Sequence, residues 1–99
     1  MTVSGVAALA ADERRSARND VRLAATLRAG PTVHSVVVFN VSAHGVMAEM
    51  DATLPPGRPV IVELEGLAPT RGRVAWVRQG HLGVAFDAPL TLSALLAIV

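Results

Sequence analysis

Three arginines lie close together near the start of the chain. Arg14, Arg15 and Arg18 fall in the segment R-R-S-A-R, and the whole chain contains no lysine. A guanidinium group forms paired hydrogen bonds with phosphate oxygens, or with the adjacent O6 and N7 acceptors of guanine. The cluster therefore indicates a site for an anionic, purine-bearing ligand. The alternative is a charged segment that is merely solvated.

A second polar group follows a valine-rich segment. Asn40, Ser42 and Gly45 occupy the string N-V-S-A-H-G. Residues two apart in an extended chain point to the same side, so we expect the side chains of Asn40 and Ser42 to converge. Gly45 is expected to turn the chain with a positive φ and to let a ligand approach the backbone. These residues could also form only a turn that ends a strand, an interpretation that is compatible with a site.

The elements that position these residues are predicted to be short strands. The chain has 99 residues, enough for one small domain, and 52% of them are hydrophobic. Alternating apolar residues between turn signals indicate about six strands, which favours an all-β fold, a small antiparallel barrel or sandwich. Residues 1–13 are interpreted as a flexible leader and residues 14–20 as an exposed arm. A short apolar helix is expected from Thr91 or Leu92 to Val99.

Several finer expectations concern burial and pairing. The segment Thr32–Val41 is apolar on both faces in its middle, which predicts burial on both sides. Trp76 is expected in the core. Glu63 is expected to pair across strands with Arg71 or Arg73.

Taken in order, the motifs R-x-x-x-R and N-x-S-x-x-G resemble the paired signature of the PilZ family, bacterial receptors for cyclic di-GMP. The resemblance extends from about Glu13 to the end, and includes Gly72–Val77 and Leu82–Phe86. It implies a six-stranded antiparallel PilZ-like β-barrel over residues 14–99, with a short C-terminal helix and a flexible N-terminal arm.

The resemblance also implies a site and a mechanism. The Arg-bearing arm would close on the barrel around the dinucleotide, which is a ligand and not a cofactor. Family members often carry Asp where this chain has Asn40, and Asn keeps a carbonyl acceptor but lacks the charge. The residues expected to bind cyclic di-GMP are Arg14, Arg15, Arg18, Asn40, Ser42 and Gly45.

Other functions are disfavoured by what the sequence lacks. It has no cysteine, the histidines lack metal-ligand spacing, and no nucleophile motif is present, so neither a metal site nor an enzyme is expected. A net charge of +1 and 3% aromatic residues argue against a nucleic-acid polymer. No apolar run is long enough to cross a bilayer, so we expect a cytoplasmic protein with an unidentified downstream protein partner. The alternative is an adaptor of the same fold that does not bind nucleotide.

Overall fold

The structure, a computed structural model, describes residues 19–98. Within that range six strands close into a barrel in the order β1-β2-β3-β6-β5-β4, with every neighbouring pair antiparallel. The predicted fold class is confirmed, although β1 begins within the expected arm. The elements are β1 (Asn19–Ala29), β2 (Thr32–Ser42), β3 (Gly45–Glu49), β4 (Pro59–Leu64), β5 (Leu67–Arg78), β6 (His81–Phe86) and helix α1 (Leu92–Ile98).

The core lies inside the barrel and is built mostly from small, branched side chains. Inward-facing residues alternate along each strand, as the two-residue period of a strand requires. In β3, Val46 and Ala48 are buried, as the sequence pattern predicts, and Met50 beyond it is also buried. The largest fully buried side chains come from four strands: Leu27, Val38, Val41, Val62 and Val74.

Two tight turns set the strand register where the sequence predicts them. Gly30 and Pro31 connect β1 to β2, and Ala29 pairs with Thr32 across this connection. Gln79 and Gly80 connect β5 to β6 with φ values of 39° and 82°. Two consecutive positive φ values are typical of the two-residue hairpin turn whose twist matches that of the flanking strands.

Strand β2 is buried on one face, not on both. Val36 and Val38 are in the core, whereas Val37 and Phe39 are only partly buried on the outside. An antiparallel barrel has one interior, and no second layer covers the outer face of β2 within residues 19–98. The expectation of two-sided burial for Thr32–Val41 was therefore wrong.

Trp76 lies outside the barrel, against the prediction that it belongs to the core. A β-bulge between Val74 and Trp76 inserts Ala75 as an extra residue, so Val74 points inward and Trp76 points outward. Trp76 remains 37% exposed, and its indole ring occupies the space that a Cβ on Gly83 would need.

We expect Trp76→Ala to destabilise the fold less than the loss of a core residue does. The cost should be about 1–2 kcal/mol, because truncation of a fully buried aromatic residue costs about 3–5 kcal/mol and Trp76 is only part-covered. Leu27→Ala, at a position with no exposed surface, is the matched control and should cost about 2–5 kcal/mol. Denaturant unfolding followed by circular dichroism measures both, and equal costs would contradict the outward placement.

Glu63 pairs with β1 instead of β5. Its carboxylate lies 3.4 Å from Arg28 and accepts a hydrogen bond of 2.9 Å from the Thr26 hydroxyl. Barrel closure makes β1 the second neighbour of β4 and places Thr26 opposite Glu63. The prediction that Glu63 pairs with Arg71 or Arg73 was wrong, because barrel closure places β4 beside β1, which is far away in the sequence.

Helix α1 closes the described part of the chain. The hydroxyl of Thr91 accepts a hydrogen bond of 3.1 Å from the Ala94 N–H, which caps the first turn. Leu95 is buried against the barrel, while Leu92 and Leu96 are exposed. Among residues 19–98, no helix is long and apolar enough to cross a membrane.

Candidate functional site

A β-bulge in β2 turns the predicted polar residues to the outside of the barrel. Val38 and Val41 are both fully buried although they are three residues apart, which breaks the simple alternation. The register of β2 against β3 shifts between Val38 and Asn40, which accounts for the extra residue. Asn40 and Ser42 therefore share the outer face, as their spacing predicts.

Asn40 is held by a residue that the sequence motifs do not include. Its side-chain Nδ2 donates a hydrogen bond of 2.9 Å to Oδ1 of Asp20, which lies directly opposite on β1. Asn40 is 9% exposed, whereas Asp20 is exposed. The pair ties the start of β1 to the end of β2.

Ser42 begins a compact turn between β2 and β3. Its Oγ accepts a hydrogen bond of 3.2 Å from the backbone N–H of His44. The turn is also anchored by backbone bonds from Phe86 N–H to the His44 carbonyl and from Leu90 N–H to the Ala43 carbonyl, at 2.8 and 2.7 Å. Among residues 19–98 this hydroxyl accepts a bond and donates none, so its hydrogen can be donated to a ligand.

Glycine is required at position 45 by lack of space for a side chain, and not by the expected positive φ. Within residues 19–98, positive φ values occur at Gly30, Gly57, Gly66, Gln79 and Gly80, and Gly45 is not among them. A Cβ on Gly45 would instead overlap the carbonyl oxygen of Val84 on β6. The predicted turn with positive φ was wrong, and the glycine permits β3 and β6 to approach.

The predicted arginines Arg14, Arg15 and Arg18 lie outside the described residues. The structure does describe Asn19, the residue bonded to Arg18, and pairs it with Val41. Val41 stands between Asn40 and Ser42 in the sequence. The first strand therefore begins, directly after the arginine motif, beside the residues of the motif N-x-S-x-x-G.

A continuous row of side-chain positions runs across the outer face from this point. Each consecutive pair in the row is a cross-strand partner on neighbouring strands. With strands about 4.8 Å apart, the row covers roughly 19 Å along the curved surface of the barrel. Trp76, which was expected in the core, is at its far end. The row consists of Asp20, Asn40, Met47, Gly83 and Trp76.

A separate basic groove lies on another part of the barrel. It encloses about 360 Å³ and is lined by Arg28, Arg71, Arg73 and Asp87. Arg28 is near the opposite end of β1 from Asp20, so this groove is distinct from the row that contains Asn40. Its arginines provide matched controls for the arginines of the motif.

The described residues hold no preformed site for a metal ion. Between Asn19 and Ile98, no three residues of the types His, Cys, Asp and Glu are grouped so that they could coordinate one. The outer row carries the Asp20 carboxylate, the Asn40 amide and the indole N–H of Trp76, and the Ser42 hydroxyl lies nearby on the same face. Such groups suit hydrogen bonding to a base edge.

Comparison with known proteins gives one family match and a similar fold. The model of the PilZ domain family matches residues 12–99. The crystal structure of the PilZ domain of CeSA from a cellulose synthesizing bacterium superimposes with a TM-score of 0.63. The alignment covers 81% of this chain and 89% of that chain, at 15% sequence identity, a likeness of fold. No curated protein matches the chain.

Proposed function

Because this chain belongs to the PilZ domain family, a family of cyclic di-GMP receptors, we propose that it binds cyclic di-GMP on the outer face of the barrel. The observation that supports this site most directly is the pairing of Asn19 with Val41. It brings the residue after the R-x-x-x-R motif beside Asn40 and Ser42. Asn19, which follows the first motif, thus lies beside the second motif although a β-hairpin separates them in the sequence.

The proposed contacts follow from the chemistry of each group. Arg14, Arg15 and Arg18 supply guanidinium groups for the phosphates and for the O6 and N7 edge of guanine. The Asn40 carbonyl accepts from guanine N1–H and N2–H₂, and the Ser42 hydroxyl donates. Gly45 contributes indirectly, because it allows β3 to lie against β6 and so supports the turn that contains Ser42.

The arm is proposed to close on the barrel only when the ligand is present. Ordering the five residues 14–18, which precede β1, costs about 1–2 kcal/mol of backbone entropy for each residue. A micromolar site supplies about 8 kcal/mol of net binding free energy, so the gross contacts must be roughly twice as large. Bridging by a ligand with two phosphates and two purines supplies such contacts, and the reshaped surface would be the signal read by a partner.

Trp76 extends the proposed site along the outer face. It lies on the same row as Asn40, and its aromatic ring is partly exposed. Aromatic rings stack on nucleic-acid bases with little dependence on which base it is. Trp76 is also the only tryptophan of the chain. Its fluorescence therefore reports on ligand that reaches this end of the row.

The proposal is tested by titrating the full chain with cyclic di-GMP, GTP and single-stranded DNA. Calorimetric heat and Trp76 fluorescence should respond to cyclic di-GMP alone. A response to none of the three would contradict the proposal and favour the adaptor. Salt-dependent binding of DNA would favour a nucleic-acid binder instead.

The adaptor alternative has one observation in its favour. Helix α1 leaves Leu92 and Leu96 exposed, at 71% and 61% of their surface, and apolar side chains of this kind suit a protein contact. In either case an unidentified downstream protein is the proposed partner. The proposed location is the cytoplasm, where a nucleotide second messenger would be met.

A further inference from the structure

The hydrogen bond between Asp20 and Asn40 fixes the orientation of the Asn40 amide. Without it, either the oxygen or the nitrogen of the amide could face a ligand. An ionised carboxylate only accepts hydrogen bonds, so the side of the Asn40 amide that faces Asp20 must be Nδ2. The opposite side is then Oδ1. With 9% of Asn40 exposed, the amide has little freedom to rotate away.

We propose that Asp20 is a positioning residue that holds Asn40 as a hydrogen-bond acceptor and thereby makes the site selective for guanine. This inference rests on the proposed function. Guanine presents two adjacent donors, N1–H and N2–H₂, and a fixed carbonyl oxygen suits both. Adenine is bound best by an Asn that uses its carbonyl and its amide nitrogen together, and the bond to Asp20 takes one of the two hydrogens of that nitrogen and directs the nitrogen toward β1.

The same contact accounts for an amide instead of a carboxylate at position 40. Asp20 and Asn40 are directly opposite in an antiparallel pair, with donor and acceptor 2.9 Å apart. Two carboxylates at these positions would repel each other, since like charges directly opposite are destabilising. An amide at position 40 lacks the negative charge of a carboxylate, but it can donate a hydrogen bond to Asp20.

The inference is tested with a cycle of three variants: Asp20→Asn, Asn40→Asp and the double variant that exchanges the two residue types. Asp20→Asn lets the amide of Asn40 adopt both orientations, so the preference for cyclic di-GMP over cyclic di-AMP should fall roughly tenfold, the effect of one hydrogen bond. Asn40→Asp should weaken cyclic di-GMP binding and lower the unfolding temperature through carboxylate repulsion. The double variant should restore both, because one donor again faces one carboxylate.

The readouts separate a positioning role from a structural one. Calorimetry gives the affinity for each dinucleotide, and ¹⁵N NMR of the free protein follows the side-chain NH₂ group of Asn40. In the wild type that group should show one hydrogen-bonded state, which should be lost in Asp20→Asn while the backbone spectrum is kept. Asp51→Asn, an exposed carboxylate elsewhere, is the matched control and should change neither readout.

Each outcome bears on the inference. A tenfold loss of selectivity with an intact fold, and rescue by the double variant, would support it. Wild-type binding of cyclic di-GMP with unchanged selectivity in Asp20→Asn would overturn this inference and leave the proposed function standing. Failure of the wild type to bind cyclic di-GMP would overturn both. A double variant no better than Asn40→Asp would also overturn the positioning role.

Discussion

Arg18→Ala is expected to weaken cyclic di-GMP binding at least about 100-fold while leaving the barrel folded. A bidentate guanidinium contact consists of two charge-assisted hydrogen bonds, each worth about 1.5–3 kcal/mol. Losing both removes at least about 3 kcal/mol, or two orders of magnitude in affinity. Within residues 19–98 the buried core begins at Ala25, so the free energy of unfolding should stay within about 0.5 kcal/mol of the wild type. Calorimetry and thermal unfolding measure the two quantities.

Arg71→Ala provides the control for charge alone. Arg71 is an exposed arginine that lines the basic groove and is not part of the row that contains Asn40. The Arg71→Ala variant should bind cyclic di-GMP with nearly wild-type affinity. The opposite pattern, with binding lost in Arg71→Ala and kept in Arg18→Ala, would move the ligand to the basic groove.

The strands could be predicted because their signal is local. The alternation of Val46, Ala48 and Met50, or of Val60, Val62 and Leu64, directly reflects which face of a strand meets the core. Turns such as Gln79-Gly80 carry their own conformational preference. A six-stranded antiparallel barrel follows from counting these elements and from the resemblance to the family.

The errors over Trp76 and Glu63 arise where the position of one strand depends on another strand. A bulge changes which face a residue occupies, and no residue near Trp76 signals it, because the bulge is defined by the register of β5 against β6. Closure of β1 on β4 likewise decides that Glu63 meets Arg28. Long-range pairing of this kind leaves no pattern within either segment.

The candidate site was predicted in part for the same reason. Asn40 and Ser42 share a face as their spacing indicates, whereas Asp20 was missed. Counting back from the Ala29–Thr32 pair at the hairpin would place Asp20 opposite Val41, and the register shift between Asp20 and Leu23 moves it by one residue to Asn40. The arm with its three arginines lies outside the described residues, so its closure on the ligand stays a prediction.

Gly45→Ala is expected to destabilise the barrel by about 3 kcal/mol or more. Inserted atoms in a packed region cost about 1–3 kcal/mol when side chains can move aside, and here the overlapping atom is the backbone carbonyl oxygen of Val84. Relief requires β3 and β6 to separate, and Gly45 pairs with Ala85 at the start of that ladder. For a domain whose stability is about 5–15 kcal/mol, this is a large fraction. Denaturant unfolding measures the loss.

Gly57→Ala separates the effect of space from the effect of glycine's flexibility. Gly57 has a φ of +88°, and a Cβ added there would meet nothing within 4 Å, so its replacement strains the backbone without a collision. Its cost should be about 1–2 kcal/mol, the usual penalty for a left-handed residue with a side chain. Equal costs for the two variants would contradict the close approach of β3 and β6. If Gly45→Ala costs more, the glycine of the second motif is required by the strand pairing that holds Ser42 in place, whether or not it touches the ligand.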